Sequence, residues 1–146
     1  MRRDPLAYLA TELEHLKAQG LYRRLRVLED AQQATTTFDH AQVVNLSSNN
    51  YLGLTHHPEV KRAAHAAIEH YGTGCTGSRF LNGNLDLHEQ LEAELAQFVG
   101  KESALVFTTG FLANCGALAA LGGQRGVQIF SERENHASLI TGTQLA

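Results

Sequence analysis

The spacing of apolar residues predicts a helix near the start of the chain. Leucines recur three or four residues apart, at Leu6, Leu9, Leu13 and Leu16, which is the period of one helix face. Pro5 suits the beginning of such a helix and Gly20 suits its end. Residues 21–31 mix arginines with leucines, and this pattern predicts either a short helix or an irregular arm.

The middle of the chain alternates between polar turns and apolar segments. Threonine-rich residues 35–39 predict a loop, residues 43–46 a short strand, and residues 48–50 a turn. Pro58 fits the first turn of a helix that runs to about Tyr71.

Another helix is predicted before residue 100. Asp86 and Glu89 have the spacing of a capping box, which predicts Asp86 as the cap. Apolar residues then mark one helix face, and Gly100 ends it.

The last third of the chain alternates strand and helix patterns. Apolar runs at residues 104–107 and 127–130 predict strands, and helices are predicted at residues 111–121 and from Ala137 onward. This order requires right-handed crossovers and a parallel sheet, so the predicted fold class is α/β. Two strands cannot cover a parallel sheet, and the final helix reaches Ala146 without a stop signal. We therefore expect the sequence to be truncated inside a domain.

Composition and charge narrow the class of protein. A hydrophobic fraction of 43% in 146 residues fits a globular domain, and a net charge of −3 gives no general attraction to nucleic acid or an anionic membrane. No apolar run is long enough to span a bilayer, and acidic residues close after Arg2 and Arg3 argue against a signal segment. The two cysteines form no disulfide framework, so we expect reduced thiols in a cytoplasmic protein.

The segment YGTGCTGSRF, residues 71–80, contains a G-x-G-x-x-G spacing that begins at Gly72. A dinucleotide-binding loop of this spacing lies between a strand and a helix. Here a helix precedes the glycines and the next helix starts near Asp86, so the context disfavours NAD. A flexible linker would need glycine alone, yet the more specific residues 78–80 follow. The third interpretation is a loop whose glycines let the backbone approach a ligand closely.

A second candidate site follows the strand predicted at residues 104–107. Ligands of open α/β sheets bind beyond the carboxyl ends of the strands, and a helix N-terminus offers N–H groups suited to phosphate. Gly110 would allow close approach, and Thr108 and Thr109 could add hydroxyl groups. An ordinary strand-to-helix turn with threonine caps explains the same residues equally well.

His136 follows the next predicted strand and would lie beside that turn. A flat imidazole there could stack on a planar cofactor or donate a hydrogen bond, and the alternative is a histidine that caps a helix at the surface. The remaining histidines lack partners at metal-ligand spacing, so no metal site is predicted.

Five segments taken together resemble the α-oxoamine synthases, pyridoxal-phosphate enzymes of the type I aminotransferase fold. They are NLSSNNYLGL (45–54), HPEVKRAA (57–64), GTGCTGSRFLNGNLDLHEQLE (72–92), FVGKESALVFTTGFLAN (98–114) and SERENHASLITG (131–142). The resemblance implies an N-terminal helical arm at residues 1–45. It also implies that residues 46–146 begin a parallel-sheet large domain that binds pyridoxal 5'-phosphate.

The activity that the resemblance implies is condensation of an amino acid with an acyl-CoA, usually with loss of carbon dioxide. By position, the N–H groups of Gly110 and Phe111, beside Thr109, would hold the cofactor phosphate. His136 would stack on the cofactor ring and help to position the substrate.

The substrate residues that the resemblance implies are Asn49 and Ser78. Asn49 would lie near the carboxylate of the amino acid, and Ser78 would reach the substrate from the neighbouring subunit. The family works as a homodimer with active sites at the subunit interface, so the same assembly is expected here.

The family's cofactor lysine lies far downstream, in a threonine–apolar–serine–lysine motif. The lysines of this chain, Lys17, Lys61 and Lys101, stand in no such motif. We therefore expect an N-terminal fragment that is inactive alone.

The substrate is less sharply indicated than the family. Residues 18–34 and the NNYLGL segment look like glycine C-acetyltransferase, whereas YGTGCTGSRFLNG looks like bacterial serine palmitoyltransferase, and 8-amino-7-oxononanoate synthases share the general pattern. Glycine with a short acyl-CoA is the expected pair. A non-catalytic partner subunit or remnant with the same fold is the alternative from another class.

Overall fold

A computed structural model describes residues 4–146 of the chain. Arg2 and Arg3, considered above for a signal segment, lie outside the described residues. Contacts group the chain into two compact units, one ending at Thr73 and the other comprising Gly74–Ala146. The expected division at residue 45 stays a prediction about the complete protein.

The first unit begins with the predicted amphipathic helix, α1, at Tyr8–Ala18. Gly20 follows it in the left-handed conformation, with φ 68°, which favours glycine at a helix end. The next stretch, residues 21–31, contains no helix. Of the two predicted alternatives for that stretch, the irregular arm is therefore correct.

A β-hairpin follows the arm, and here the prediction of a loop at residues 35–39 is wrong. Strand β1, Thr35–Phe38, pairs antiparallel with β2, Ala41–Val44, so that Thr35 faces Val44 and Phe38 faces Ala41. The strand predicted at residues 43–46 thus begins and ends earlier. β-branched residues favour the pleated conformation.

The hairpin turn departs from the usual sequence pattern of such turns. Asp39 and His40 both have positive φ, as a tight two-residue hairpin turn requires, but they are not the usual asparagine and glycine. The Asp39 carboxylate accepts the Val27 N–H and an Arg26 hydrogen bond, both at 3.1 Å. These bonds lower the pKa of Asp39, the Val27 bond most, and fix the turn.

Helix α2 occupies Pro58–Tyr71, as predicted. Its N-cap is His57, whose side chain accepts the Glu59 N–H at 3.2 Å. Gly72 ends the helix with φ 82°. A short 3-10 turn, Leu54–His56, precedes it.

The second unit contains three helices: α3 at Asp86–Val99, α4 at Gly110–Gly122 and α5 at Ala137–Leu145. All three were predicted. The predicted cap of α3 is wrong by one residue, since Leu85 is the N-cap and its N–H donates to His88 Nδ1 at 3.0 Å.

Helices α4 and α5 pack against each other with small buried residues at the contact. Cys115 and Gly142 are buried there, and a Cβ built on Gly142 would lie 2.8 Å from Leu118 Cδ1. This spacing allows the two helices to approach closely. No helix of residues 4–146 is both long and apolar enough to cross a membrane.

The strands predicted at residues 104–107 and 127–130 are not formed within the described part of the chain. A strand requires a neighbour that satisfies its N–H and C=O groups, and these segments do not pair with each other. The only sheet among residues 4–146 is the β1–β2 hairpin. The predicted parallel sheet is therefore not assembled within residues 4–146.

Candidate functional site

We call residues 74–85, which precede α3, the glycine loop. A cavity of about 660 Å³ opens between this loop, helix α3 and the segment before α4. Apolar side chains from α3 form part of its wall. The residues that line it include Cys75, Ser78, Arg79, Leu87, Leu91 and Thr108. The cavity thus brings the predicted substrate residue Ser78 together with the turn that leads into the predicted phosphate site.

An ion pair holds one side of this cavity. Arg79 donates two hydrogen bonds to the Glu92 carboxylate, at 2.6 and 3.0 Å. Glu92 Oε1 also accepts the N–H of Val106 at 2.8 Å, and Arg79 Nη1 donates to the Val106 carbonyl at 3.4 Å. We call these three residues the Arg79 clamp. Through it, Val106 has both backbone groups bonded without belonging to a strand.

The electrostatics of the clamp favour its charged form. The Arg79 hydrogen bonds, followed by the Val106 N–H, lower the pKa of Glu92 to about 2. Glu92 in turn raises the pKa of Arg79. The Glu92 side chain is only 15% exposed and that of Arg79 32%, so solvent screens this pair less than an open surface pair.

Two glycines of the loop are required by its internal packing. A Cβ built on Gly77 would collide with the Asn82 side chain, and one built on Gly83 would collide with the Gly77 carbonyl oxygen. Between them, the Ser78 carbonyl accepts the N–H groups of Leu81 and Gly83, both at 3.0 Å. The loop is therefore a defined turn rather than a flexible linker, and these bonds fix the backbone beside Ser78.

The predicted phosphate site lies at the N-terminus of α4. Thr109 is the N-cap, and its Oγ1 accepts the Leu112 N–H at 3.1 Å. Gly110 and Phe111 are the first two residues of the helix, so no carbonyl from a preceding helical turn accepts their N–H groups. A Cβ built on Gly110 would meet no atom within 4 Å. The threonine-cap interpretation is correct for Thr109, and the helix end beside it is open.

His136 is the N-cap of α5, as its alternative interpretation expected. Its Nδ1 accepts the Ser138 N–H at 3.2 Å and lies 2.7 Å from Ser138 Oγ. A backbone N–H can only donate, so Nδ1 is the accepting nitrogen. Asn114 Nδ2 donates to the fully buried Ser138 hydroxyl at 2.8 Å. Because Asn114 lies one turn after Gly110 in α4, this chain of bonds ties His136 to the helix with the predicted phosphate site.

Asn49 belongs to the other compact unit. Its backbone carbonyl accepts the Tyr51 N–H at 2.8 Å, and its Oδ1 accepts the Tyr51 hydroxyl at 3.3 Å. The residue is exposed. These bonds shape a local turn, and the role of Asn49 toward a substrate stays a prediction.

The described residues contain no cluster that could bind a metal ion and no pair of bonded cysteines. No group of three His, Cys, Asp or Glu side chains within residues 4–146 is placed to hold a metal ion. Cys75 is exposed and Cys115 is buried, and both are free thiols.

A family model described as aminotransferase class I and II matches residues 41–146. The chain belongs to this family. Among curated relatives, it is 50% identical over 131 residues to the serine palmitoyltransferase of Bacteriovorax stolpii, covering 90% of this chain and 31% of that protein. It is 49% identical over 138 residues to the 8-amino-7-oxononanoate synthase of Geobacter sulfurreducens, covering 94% of this chain and 35% of that protein. The resemblance to the α-oxoamine synthases is thereby confirmed.

Solved structures of this class II aminotransferase-like group agree with the fold. The chain matches Sphingomonas wittichii serine palmitoyltransferase with a TM-score of 0.81 and 34% identity, over 97% of this chain and 37% of that one. It matches a serine palmitoyltransferase variant from S. paucimobilis, solved with a bound PLP–myriocin aldimine, with a TM-score of 0.81 and 32% identity, over 98% and 38%. The predicted fold class is confirmed. The chain spans about a third of the length of these relatives.

Sequence reasoning missed four residues that organise the site of this family member. They are Arg79, Glu92, Asn114 and Ser138. Arg79 and Glu92 are separated by a turn and half a helix, so no local pattern pairs them. The one available signal was an arginine directly after Ser78, the only charged residue between Gly72 and Leu85.

Proposed function

We propose that the complete protein is a pyridoxal-phosphate-dependent acyltransferase that condenses an amino acid with an acyl-CoA to give an α-oxoamine. The observation that carries this proposal is the open N-terminus of α4, joined through Asn114 and Ser138 to His136. The proposal is supported by relatives about half identical in sequence. Because the chain spans only part of their length, activity belongs to the complete protein.

The residues present fit the cofactor's phosphate group. The free N–H groups of Gly110 and Phe111 and the helix dipole would bind an anion at this end of α4. The Thr109 hydroxyl accepts one bond from the helix and still has its hydrogen to donate. The missing Cβ of Gly110 leaves room for a close approach of the phosphate.

Bound pyridoxal phosphate would supply an electron sink for a carbanion next to the amino group of the substrate. The contribution of His136 would be orientation. Its bonds to Ser138 hold the imidazole by Nδ1, which leaves the ring face and Nε2 for the cofactor and the substrate. Because the ring is already fixed, ligand binding would not carry the entropy cost of ordering this side chain.

Two further residues would bind the amino acid. Ser78, from the loop that lines the cavity, would contact the substrate in the partner subunit of a homodimer, and Asn49 would lie near the substrate carboxylate. Glycine with acetyl-CoA, giving 2-amino-3-oxobutyrate, is our first candidate pair. Serine palmitoyltransferase or 8-amino-7-oxononanoate synthase activity is the alternative, since the relatives carry those names.

A substrate screen on the complete protein tests this proposal. Glycine, serine and alanine are each paired with acetyl-, pimeloyl- and palmitoyl-CoA, and release of the CoA thiol is followed with and without added pyridoxal phosphate. We expect release that depends on the amino acid and the cofactor, and fastest with glycine and acetyl-CoA. A folded protein that binds pyridoxal phosphate yet releases no CoA with any pair would instead support the non-catalytic alternative.

A further inference from the structure

The Arg79 clamp connects two proposed binding segments that are far apart in sequence: the loop whose Ser78 would reach the substrate of the partner subunit, and the turn that would hold the cofactor of this subunit. Arg79 follows Ser78 directly, and Val106 lies three residues before the N-cap Thr109. Glu92, on α3, bonds to both Arg79 and Val106 through a single carboxylate. A shift of Glu92 would therefore move the loop around Ser78, the substrate loop, together with the Thr109–Phe111 turn, the phosphate turn.

The geometry of the clamp is more specific than an ion pair requires. The planar guanidinium of Arg79 makes two bonds to Glu92, which fixes direction as well as distance. Its remaining Nε donates to Asn84 Oδ1 at 2.7 Å. Asn84 Nδ2 then donates to Glu89 Oε1 at 2.9 Å. Arg79 is thus held on three sides.

The clamp also supplies hydrogen-bond partners for the backbone of the segment before α4. Residues 104–107 belong to no strand, so their backbone groups need other partners within this unit. Glu92 accepts the Val106 N–H while Arg79 donates to the Val106 carbonyl. Two side chains therefore hold this backbone as a neighbouring strand would.

We propose that Arg79 and Glu92 are positioning residues that keep the Ser78 loop and the Thr109–Phe111 turn in register, so that substrate and cofactor sites depend on one ion pair. The inference rests on the proposed function for the meaning of those two sites. Neither residue needs to touch a ligand. Their effect is transmitted through the backbone at Ser78 and Val106.

The first test uses Glu92→Gln in the complete protein, with glycine and acetyl-CoA if that pair is the active one. We expect the KM for the amino acid and the Kd for pyridoxal phosphate each to rise about tenfold, because small misplacements of binding groups cost that much or more. Ser78→Ala should raise the KM alone. Glu59→Gln, which removes a carboxylate from the exposed Arg62 ion pair of α2, is the matched control and should change neither constant.

The second test exchanges the charges, in a variant carrying Arg79→Glu and Glu92→Arg. This variant restores an ion pair, but a carboxylate cannot donate to the Val106 carbonyl and a guanidinium cannot accept its N–H. We expect both constants to stay impaired, as in Glu92→Gln. Recovery would overturn the role of Val106.

Hydrogen exchange of residues 104–109, measured by mass spectrometry, tests the clamp independently of enzyme activity. Exchange should be about tenfold faster in Glu92→Gln than in Glu59→Gln. The glutamine oxygen can still accept the Val106 N–H, but its NH2 group cannot accept the second Arg79 bond, so the acceptor is held less firmly and the segment opens more readily. If Glu92→Gln fails to fold, Arg79→Lys keeps the charge and loses the paired bonds, and the same results are expected.

The outcomes separate this inference from the proposed function. A wild-type protein that binds no pyridoxal phosphate contradicts the proposed function, while the exchange rates still test the clamp. A wild-type protein that is active, with Glu92→Gln equal to it in both constants, overturns the clamp alone. A change in only one constant would show that the pair supports one site, and would overturn the coupling.

Discussion

At the scale of single residues, the glycines of the loop between α2 and α3 have different physical roles. A Cβ on Gly77 would collide with the Asn82 side chain, and one on Gly83 would collide with the Gly77 backbone. Gly74 has nothing within 4 Å of its own Cβ position. The G-x-G-x-x-G spacing therefore groups glycines that the fold does not need equally.

This difference predicts the effect of alanine substitutions in the complete protein. Gly83→Ala should lower the free energy of unfolding by about 1–3 kcal/mol, because the added carbon meets backbone atoms that cannot move away easily. Gly74→Ala is the control and should leave stability within about 0.5 kcal/mol. Urea unfolding followed by circular dichroism measures both, and equal losses would show that the close packing around Gly83 is not required.

At the scale of elements, Glu92 ties α3 to the loop before it and to the segment after it. Its pKa is lowered from 4.5 to about 2, chiefly by the Arg79 hydrogen bonds. A lowered folded-state pKa means that the contribution to stability is complete above pH 4.5. It is lost as the pH falls toward 2.

Glu92 should therefore contribute to the acid sensitivity of the fold. Between pH 5 and about 2.5, the free energy of unfolding of the wild type should fall more steeply than that of Glu92→Gln, which has no proton to gain. Urea titrations at stepped pH and constant ionic strength measure the difference. Parallel curves for the two proteins would contradict the lowered pKa of Glu92.

Elements with local signals were predicted well. Helices α1 to α5 each carry apolar periodicity, a capping residue or a terminal glycine, and all five are present. The hairpin was missed because its turn uses Asp39 and His40, whose positive φ is maintained by distant arm residues such as Val27. Residues 104–107 and 127–130 have the apolar pattern of strands, but a strand needs a paired neighbour, and the described residues form no sheet other than the β1–β2 hairpin.

The site follows the same division between local and distant information. Thr109, Gly110 and Phe111 could be found because a helix N-terminus is written in consecutive residues. The partners that hold Ser78 and His136 in place are distant in sequence, and only the fold brings Glu92 and Asn114 to them. Helix ends leave a signal in consecutive residues, accurate to one residue at α3, whereas contacts between elements leave none.

At the scale of the whole molecule, the chain carries the proposed phosphate turn, the histidine proposed to stack on the cofactor and the proposed substrate loop, and it spans about a third of the length of its relatives. The proposed cofactor lysine would come from the rest of the protein. The proposed function therefore depends on whether the N-terminus of α4 anchors pyridoxal phosphate.

The most direct measurement compares Gly110→Pro with Gly110→Ala in the complete protein by titration with pyridoxal phosphate, followed by visible absorbance. Both variants add a Cβ, but proline alone removes the N–H. The structure tolerates proline here, since Gly110 is the first residue of α4 and Thr109 is extended, with φ −146° and ψ 153°. Because a hydrogen bond to a charged group contributes about 1.5–3 kcal/mol, we predict that the proline variant binds at least about tenfold more weakly. Equal affinities, or a wild-type protein that does not bind pyridoxal phosphate, would contradict the account.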